Sequence, residues 1–199
     1  MLTPDPLASV LRALGRPAGE SSDYDLNPGA GPVEPARLRP AAVLVPLLAG
    51  PELSVVLTKR SSGLQHHPGQ IAFPGGKQEP QDAGPEAAAL REAQEEIGLD
   101  PAGVELLGRL PPHDTVTNFR VTPVLGRIGI EFRPVPQAGE VAEVFTVPLA
   151  HVTDLSRFRV ERRLWRGQWR RYYAVPYGPY YIWGATARIL YGLAQRMTE

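Results

Sequence analysis

Apolar and polar residues alternate along this chain with two different periods. Pro6–Leu14 has helical spacing, and residues 15–40, dense in Pro, Gly, Ser and Asp, show no sustained period, so a short helix followed by a linker is expected. From Ala41 the pattern changes to runs rich in Val and Leu, residues 41–49 and 53–58, separated by Gly50-Pro51, which reads as a hairpin. Pro85–Ile97 is expected as a helix, with Pro near its start, helix formers within and Gly98 placed to cap its end. Further strands are expected at 104–110, Phe119–Ile128 and 141–147, then an aromatic, Arg-rich pair around the turn Arg166-Gly167. Residues 183–197 read as a closing helix. Strands flanking a capped helix, with another helix at the end, predict an α/β (α+β) fold with a mixed β-sheet between helical layers.

Composition narrows what such a fold can do. With 199 residues the chain fits one domain, and its 22 Pro and 20 Gly imply many loops, where sites are usually built. Lys and Arg together number 21, as do Asp and Glu, so the net charge of +0 supplies no overall field for collecting nucleic acid, and an anionic ligand must be caught locally. The absence of Cys excludes disulfides, thiolate metal sites and a cysteine nucleophile. The longest apolar run, 41–49, is interrupted by Pro46 and too short to cross a bilayer, and the N-terminus lacks a signal-peptide pattern. A cytoplasmic protein with neither nucleic-acid nor membrane partner is therefore expected; oligomeric state is not legible.

The chemistry concentrates in GGKQEPQDAGPEAAALREAQEEIGL, residues 75–99. On a helix, Glu92, Glu95 and Glu96 spread over about 100° of one side, while Ala89, Leu90, Ala93 and Ile97 fall on the neighbouring face and are expected to pack on the sheet, leaving the acidic edge facing outward. Three like charges this close repel, with Arg91 giving little relief. Taken alone, the cluster fits a solvated helix face. The diglycine turn before the helix and Gly98 after it instead suit a rigid cage of oxygen ligands for Mg²⁺ or Mn²⁺.

These residues resemble the signature of the Nudix hydrolases: Gly, five residues, Glu, seven residues, Arg-Glu, an apolar residue, any residue, Glu-Glu, any residue, Gly, apolar. The matching positions are Gly76, Arg91, Glu92, Ala93, Glu95, Glu96, Gly98 and Leu99. Asp82 stands where the first Glu is expected, and eight residues separate it from Arg91, as a one-residue insertion would give. The resemblance implies a Nudix-like α/β/α sandwich, a Nudix domain over 36–199 preceded by the helix and linker of 1–35, and Mg²⁺ or Mn²⁺ as cofactor. It implies Glu92 and Glu96 as metal ligands, Glu95 as a further ligand or as the base that orients or deprotonates water, and Arg91 as a brace for the carboxylates. The chemistry implied is attack of water on a diphosphate, without a covalent intermediate.

Upstream, VLTKRSSGLQHHPGQIAFPGG, residues 56–76, resembles a second signature, that of the coenzyme A pyrophosphatase branch of the same family. Leu57, Thr58, Arg60, Ser61, Gly69, Phe73, Pro74, Gly75 and Gly76 match, with Ile71 where Val is usual and Gln65 where Arg is usual. The run IWGATARIL, residues 182–190, is similar to the closing helix of that branch. This implies hydrolysis of coenzyme A to 3′,5′-ADP and 4′-phosphopantetheine, with Lys59, Arg60, Gly75 and Gly76 at the substrate. Arg60 suits the 3′-phosphate best, a guanidinium being matched to a phosphate dianion, with Lys59 and His66 nearby. The Gln65 departure keeps open a Nudix enzyme for ADP-ribose, NADH or a dinucleoside polyphosphate. A silent nucleotide-binding module is opposed by the complete set of glutamates.

Outside the two signatures, Glu140 and Glu143 are candidates for one extra carboxylate, Glu143 being carried forward. Residues 157–183 hold Arg and aromatic side chains suited to adenine or phosphate, although Trp165, Trp169 and Tyr173 are expected to pack. The polar loop 113–118 receives no role, and His67 and His151 are read as structural.

Overall fold

The computed structural model describes residues 5–30, 34–65 and 67–198. Its elements are α1 (Pro6–Leu14), β1 (Ser21–Ser22), β2 (Arg39–Leu48), β3 (Ser54–Arg60), β4 (Ile71–Ala72), β5 (Gly75–Lys77), α2 (Pro85–Ile97), β6 (Val104–Arg109), β7 (His113–Asp114), β8 (Phe119–Ile128), β9 (Val141–Pro148), α3 (Leu149–Val152), β10 (Arg159–Trp165), β11 (Gln168–Ala174) and α4 (Gly184–Thr198). Strands β1 to β9 join in one mixed sheet, and β10 with β11 forms a separate hairpin.

Alternation along the central strands builds two cores. Val45 and Leu47 of β2, Val55 and Leu57 of β3 and Leu125 of β8 join Val10 of α1 and Leu190 and Leu193 of α4 on one face. Ala42 and Leu44 of β2, Val56 of β3 and Val124 of β8 meet Ala89, Ala93 and Ile97 of α2 on the other. Helices therefore cover both faces, which is why β2 reads as an unbroken apolar run rather than an alternating one. The expected α/β/α sandwich with a mixed sheet is present.

Strand neighbours differ from expectation. The hairpin around Gly50-Pro51 is only two residue pairs deep, Leu47 with Val55 and Leu48 with Ser54. The main partner of β2 is β8, parallel over ten pairs. On its other side β2 pairs first with β5, from Ala41 to Val43, and then with β3. Between these partners Leu44 donates to the Pro74 carbonyl at 2.9 Å. Pro46, two residues on and facing the same side, falls in the gap, so its missing N–H costs no ladder bond. Residues 73 and 74, which join β4 to β5, cross beside β2 at this gap.

Within the stretch 15–40, residues 21–27 are not a free linker. Ser21 and Ser22 pair in parallel with His113 and Asp114 of β7. Asn27 clamps the backbone of Arg171, accepting at 2.8 Å and donating at 2.9 Å. Polar residues without a period satisfy the backbone here through side chains, which leaves no periodic trace in sequence.

Candidate active site

Helix α2 begins at Pro85 and ends at Gly98, whose φ of 68° returns its N–H to Ala93 and Gln94. One flank carries the carboxylates, and β5 runs beside it. Gly75 donates its N–H to Glu96 Oε2 at 3.2 Å. A Cβ on Gly75 would stand 2.5 Å from the Ala42 carbonyl oxygen and 2.6 Å from Val43 Cα, and one on Gly76 would stand 2.6 Å from the carboxyl carbon of Glu92. The diglycine thus serves two close approaches, to backbone and to a carboxylate.

Arg91 holds the flank together. Its Nε and Nη2 bind Asp82 at 3.1 and 3.0 Å, Nη1 reaches Glu92 at 3.0 Å and Glu95 at 3.3 Å, and Nη2 also bonds the Lys77 carbonyl at 3.0 Å. Asp82 in turn accepts from the Glu79 N–H at 2.7 Å, folding the loop back toward the helix. Hydrogen bonds from Arg91 and Glu79 hold the Asp82 carboxyl below its usual range. The substitution of Asp for Glu and the extra loop residue therefore still deliver a carboxylate to Arg91.

Exposure separates the glutamates. The Glu95 side chain is 54% exposed and that of Glu92 18%, whereas Glu96 is only 5% exposed. The outward-facing acidic edge expected from the sequence is corrected at Glu96, which is buried and accepts from the Gly75 N–H. Burial raises Glu96 to about 7, with Glu92 and Glu140 adding to the rise and the Gly75 N–H and Arg60 opposing it. Burial also raises Glu92, against Arg91. Among the described residues no three carboxylate or imidazole groups already stand gathered at cation-ligand spacing.

The residues fit a divalent cation nevertheless: hard oxygen donors, one buried with a single N–H partner, and more negative charge than Arg60 and Arg91 neutralise. The charge of Glu140 is felt at both Glu92 and Glu96, a nearness that sequence spacing could not rank above Glu143. Glu143 lies opposite Lys59 on β9 and accepts from the Tyr180 hydroxyl.

Lys59 and Arg60 end β3 at a bulge. Arg60 acts electrostatically on Glu96, and its Nε is buried without an acceptor. Lys59 instead lines a cavity of about 810 Å³ that Gln70, Ile71, Arg170 and Trp183 also line and none of the three helix glutamates does. His66 lies outside the described residues. Tyr173 packs, stacked on Tyr191 at 4.3 Å, and both it and Trp165 line the cavity, whereas Trp169 is 63% exposed. His113 of the supposed polar loop is buried, bonded to Ser21 Oγ at 2.9 Å and Asp23 at 3.1 Å. His151 bonds the Pro176 carbonyl at 2.9 Å, as a structural histidine does.

Comparison with known proteins identifies the family. The family described as NUDIX domain matches residues 38–166. An uncharacterized Nudix hydrolase, NudL, of Cronobacter sakazakii is 45% identical over 161 residues, covering 81% of this chain and 84% of its own. NudL of Pectobacterium atrosepticum is 42% identical over 177 residues, covering 87% and 90%. Among solved structures, the Mycobacterium smegmatis Nudix hydrolase RenU matches with a TM-score of 0.50 at 26% identity, over 59% of this chain and 74% of that one. A MutT/nudix family protein of Enterococcus faecalis has the same TM-score of 0.50 at 19% identity, over 84% and 65%, and bears on the fold alone. No helix among the described residues is long and apolar enough to cross a membrane. The chain belongs to the Nudix hydrolase family.

Proposed function

We propose that the protein hydrolyses the pyrophosphate bond of coenzyme A, giving 3′,5′-ADP and 4′-phosphopantetheine, with Mg²⁺ or Mn²⁺ as cofactor. The observation that carries this reading is the meeting of the two signatures at one point: Gly75, from the segment resembling the coenzyme A branch, binds Glu96 of the helix, and Arg60 from the same segment stands near enough to act on it.

Glu92 and Glu96 are the ligands for the cation, and the charge of Glu140 acts on both. When bound, the divalent cation neutralises the phosphate oxygens and stabilises the leaving group. Arg91 spends its donors on Asp82, Glu92, Glu95 and Lys77 and so fixes the carboxylates rather than touching substrate. Glu95, the most exposed of the three and held by Arg91, orients or deprotonates the attacking water. Water attacks one phosphorus, the bridging P–O bond breaks, and its electron pair leaves with the other phosphate. Arg60, beside Glu96, is positioned for the diphosphate. Gly76 keeps the space over Glu92 clear.

The test is incubation of the protein with Mg²⁺ or Mn²⁺ and, separately, coenzyme A, dephospho-coenzyme A, ADP-ribose and NADH, with products resolved by chromatography. Fastest release of 3′,5′-ADP from coenzyme A supports the assignment. Preference for ADP-ribose or NADH keeps the diphosphate chemistry and discards the substrate.

A further inference from the structure

The cavity lined by Lys59 is left unused by the carboxylate chemistry. It opens between the β10–β11 hairpin, residues 22–27, the loop ending at Ile71 and the start of α4. Its wall combines aromatic rings, Trp165, Tyr172 and Trp183, with the guanidinium groups of Arg163, Arg170 and Arg188. Its volume of about 810 Å³ is that of a site for a nucleotide-sized ligand.

The three arginines differ in what they already hold. Arg188 is bound to Asp25 at 2.9 and 3.1 Å. Arg163 lies over the Trp183 ring at 4.9 Å. Arg170 lies against two rings, Trp165 at 4.9 Å and Tyr24 at 5.6 Å, and its Nε and Nη1 are shielded from water without an acceptor. Among the described residues it forms no ion pair within 4.0 Å. Ring faces hold a guanidinium in place but accept N–H groups only weakly, so Nε and Nη1 gain no strong bond from these neighbours, while Arg170 lines the cavity. Its neighbour Arg171 is pinned through both backbone bonds to Asn27, and the hairpin closes on Arg166 and Gly167 at φ 49° and 76°, the tight turn that matches strand twist. The cation is therefore fixed in advance of any ligand.

A preset guanidinium lacking a counter-ion, in a cavity walled by Trp and Tyr, suits a phosphate monoester attached to a flat base. Adjacent residues of β3 tie the cavity to the reaction centre, Lys59 lining the one and Arg60 standing by Glu96 in the other. We propose that this cavity receives the adenosine 3′-phosphate half of the substrate and that Arg170, rather than Arg60, contacts the 3′-phosphate. The identity of the ligand rests on the coenzyme A reading above.

The experiment separates site from reaction. Protein in EDTA, which cannot turn over substrate, is titrated with 3′,5′-ADP and with 5′-AMP while tryptophan fluorescence is followed. The expected result is binding of 3′,5′-ADP about tenfold tighter or more, a preference lost in Arg170→Gln and partly kept in Arg170→Lys. In turnover, Arg170→Gln raises KM about tenfold for coenzyme A and not for its dephospho form, whereas Arg60→Ala impairs both alike. Should Arg170→Gln fail to fold, amide exchange across residues 163–173 of the wild type decides: protection by 3′,5′-ADP beyond that by 5′-AMP supports the site, and equal protection overturns it. Equal affinity of the wild type for the two nucleotides, or an unchanged preference in Arg170→Gln, also overturns it. Arg170-dependent binding of 3′,5′-ADP by a protein that leaves coenzyme A uncut keeps the site and removes the reaction. Cleavage of coenzyme A that is indifferent to Arg170 does the reverse.

Discussion

A carboxylate 5% exposed, with one backbone N–H for a partner and two like charges acting on it, is a cost to the folded chain whenever it is ionised. The sign at Glu96 is set by its rise from 4.5 to about 7. The folded protein holds this proton more tightly than the unfolded chain, so this group's contribution to stability is greatest below 4.5, falls as pH rises towards 7 and then levels. The difference between the two states is worth about 3 kcal/mol. Glu92, raised by burial too, acts in the same direction. Metal-free protein in EDTA is thus expected to melt at lower temperature at pH 8 than at pH 5.5 through these groups, and Glu96→Gln, neutral throughout, is expected to flatten that slope and to be the more stable of the two at pH 8. Mg²⁺ or Mn²⁺ should raise the wild-type melting temperature at pH 8 and have little effect on Glu96→Gln, which should also lose turnover. Parallel pH slopes in the two proteins, or near-normal turnover in the variant, would remove Glu96 from the metal site. Asp82 is the converse case, a 4%-exposed carboxylate whose full partner is present. Asp82→Ala leaves Arg91 with half its fork unmatched and is expected to cost about 2 kcal/mol in urea unfolding, with loss of activity because Glu92 and Glu95 lose their common anchor.

At the scale of elements, the two glycines of β5 make opposite predictions. Gly75→Ala drives a methyl into backbone, the Ala42 carbonyl and Val43 Cα, which the central strand cannot yield, so the protein should be destabilised by about 2 kcal/mol or more. Gly76→Ala meets only the end of the Glu92 side chain, which can swing away, so stability should change little while turnover falls sharply. Denaturation curves and initial rates on the same two preparations check the pair, and equal stability losses would show that Gly76 is structural. Much of this element was legible before the fold was known. Helix bounds Pro85–Ile97, the cap at Gly98 and the strand Phe119–Ile128 follow from propensity and period, which are local properties. The short strands β1, β4 and β7 were not, because two residues carry no period. Nor could spacing rank Glu140 above Glu143: both lie near the start of β9, and only the bulge at Lys59 and Arg60 shifts their register against β3.

At the scale of the whole molecule, a hydrophobic run says that a strand is buried but not which strand lies beside it. The sequence therefore predicted a sheet between helices, whereas the parallel pairing of β2 with the distant β8, and the gap at which residues 73 and 74 cross beside β2, had to be seen. The two-faced sheet has a mechanical consequence. The carboxylate helix α2 sits on one core, while α1 and α4 close the other. Arg196 of α4, 7% exposed, binds the C-terminal end of α1 and the turn after it through the carbonyls of Ala13 at 2.7 Å, Leu14 at 3.0 Å and Arg16 at 2.7 Å, the first of which also accepts from the Arg16 N–H at 3.3 Å. Arg196→Met is expected to cost about 3 kcal/mol by stranding these carbonyls. At temperatures where the variant remains folded, kcat should stay within about twofold of the wild type, because a strain on the α1–α4 side must cross the sheet to reach Glu92 or Glu96 and packed strands resist such displacement. Urea unfolding and single-temperature kinetics on one preparation separate the two quantities. If kcat fell in step with stability, the two faces would be one cooperative support for the site, and the N-terminal segment would belong to the catalytic architecture rather than to the wall behind it.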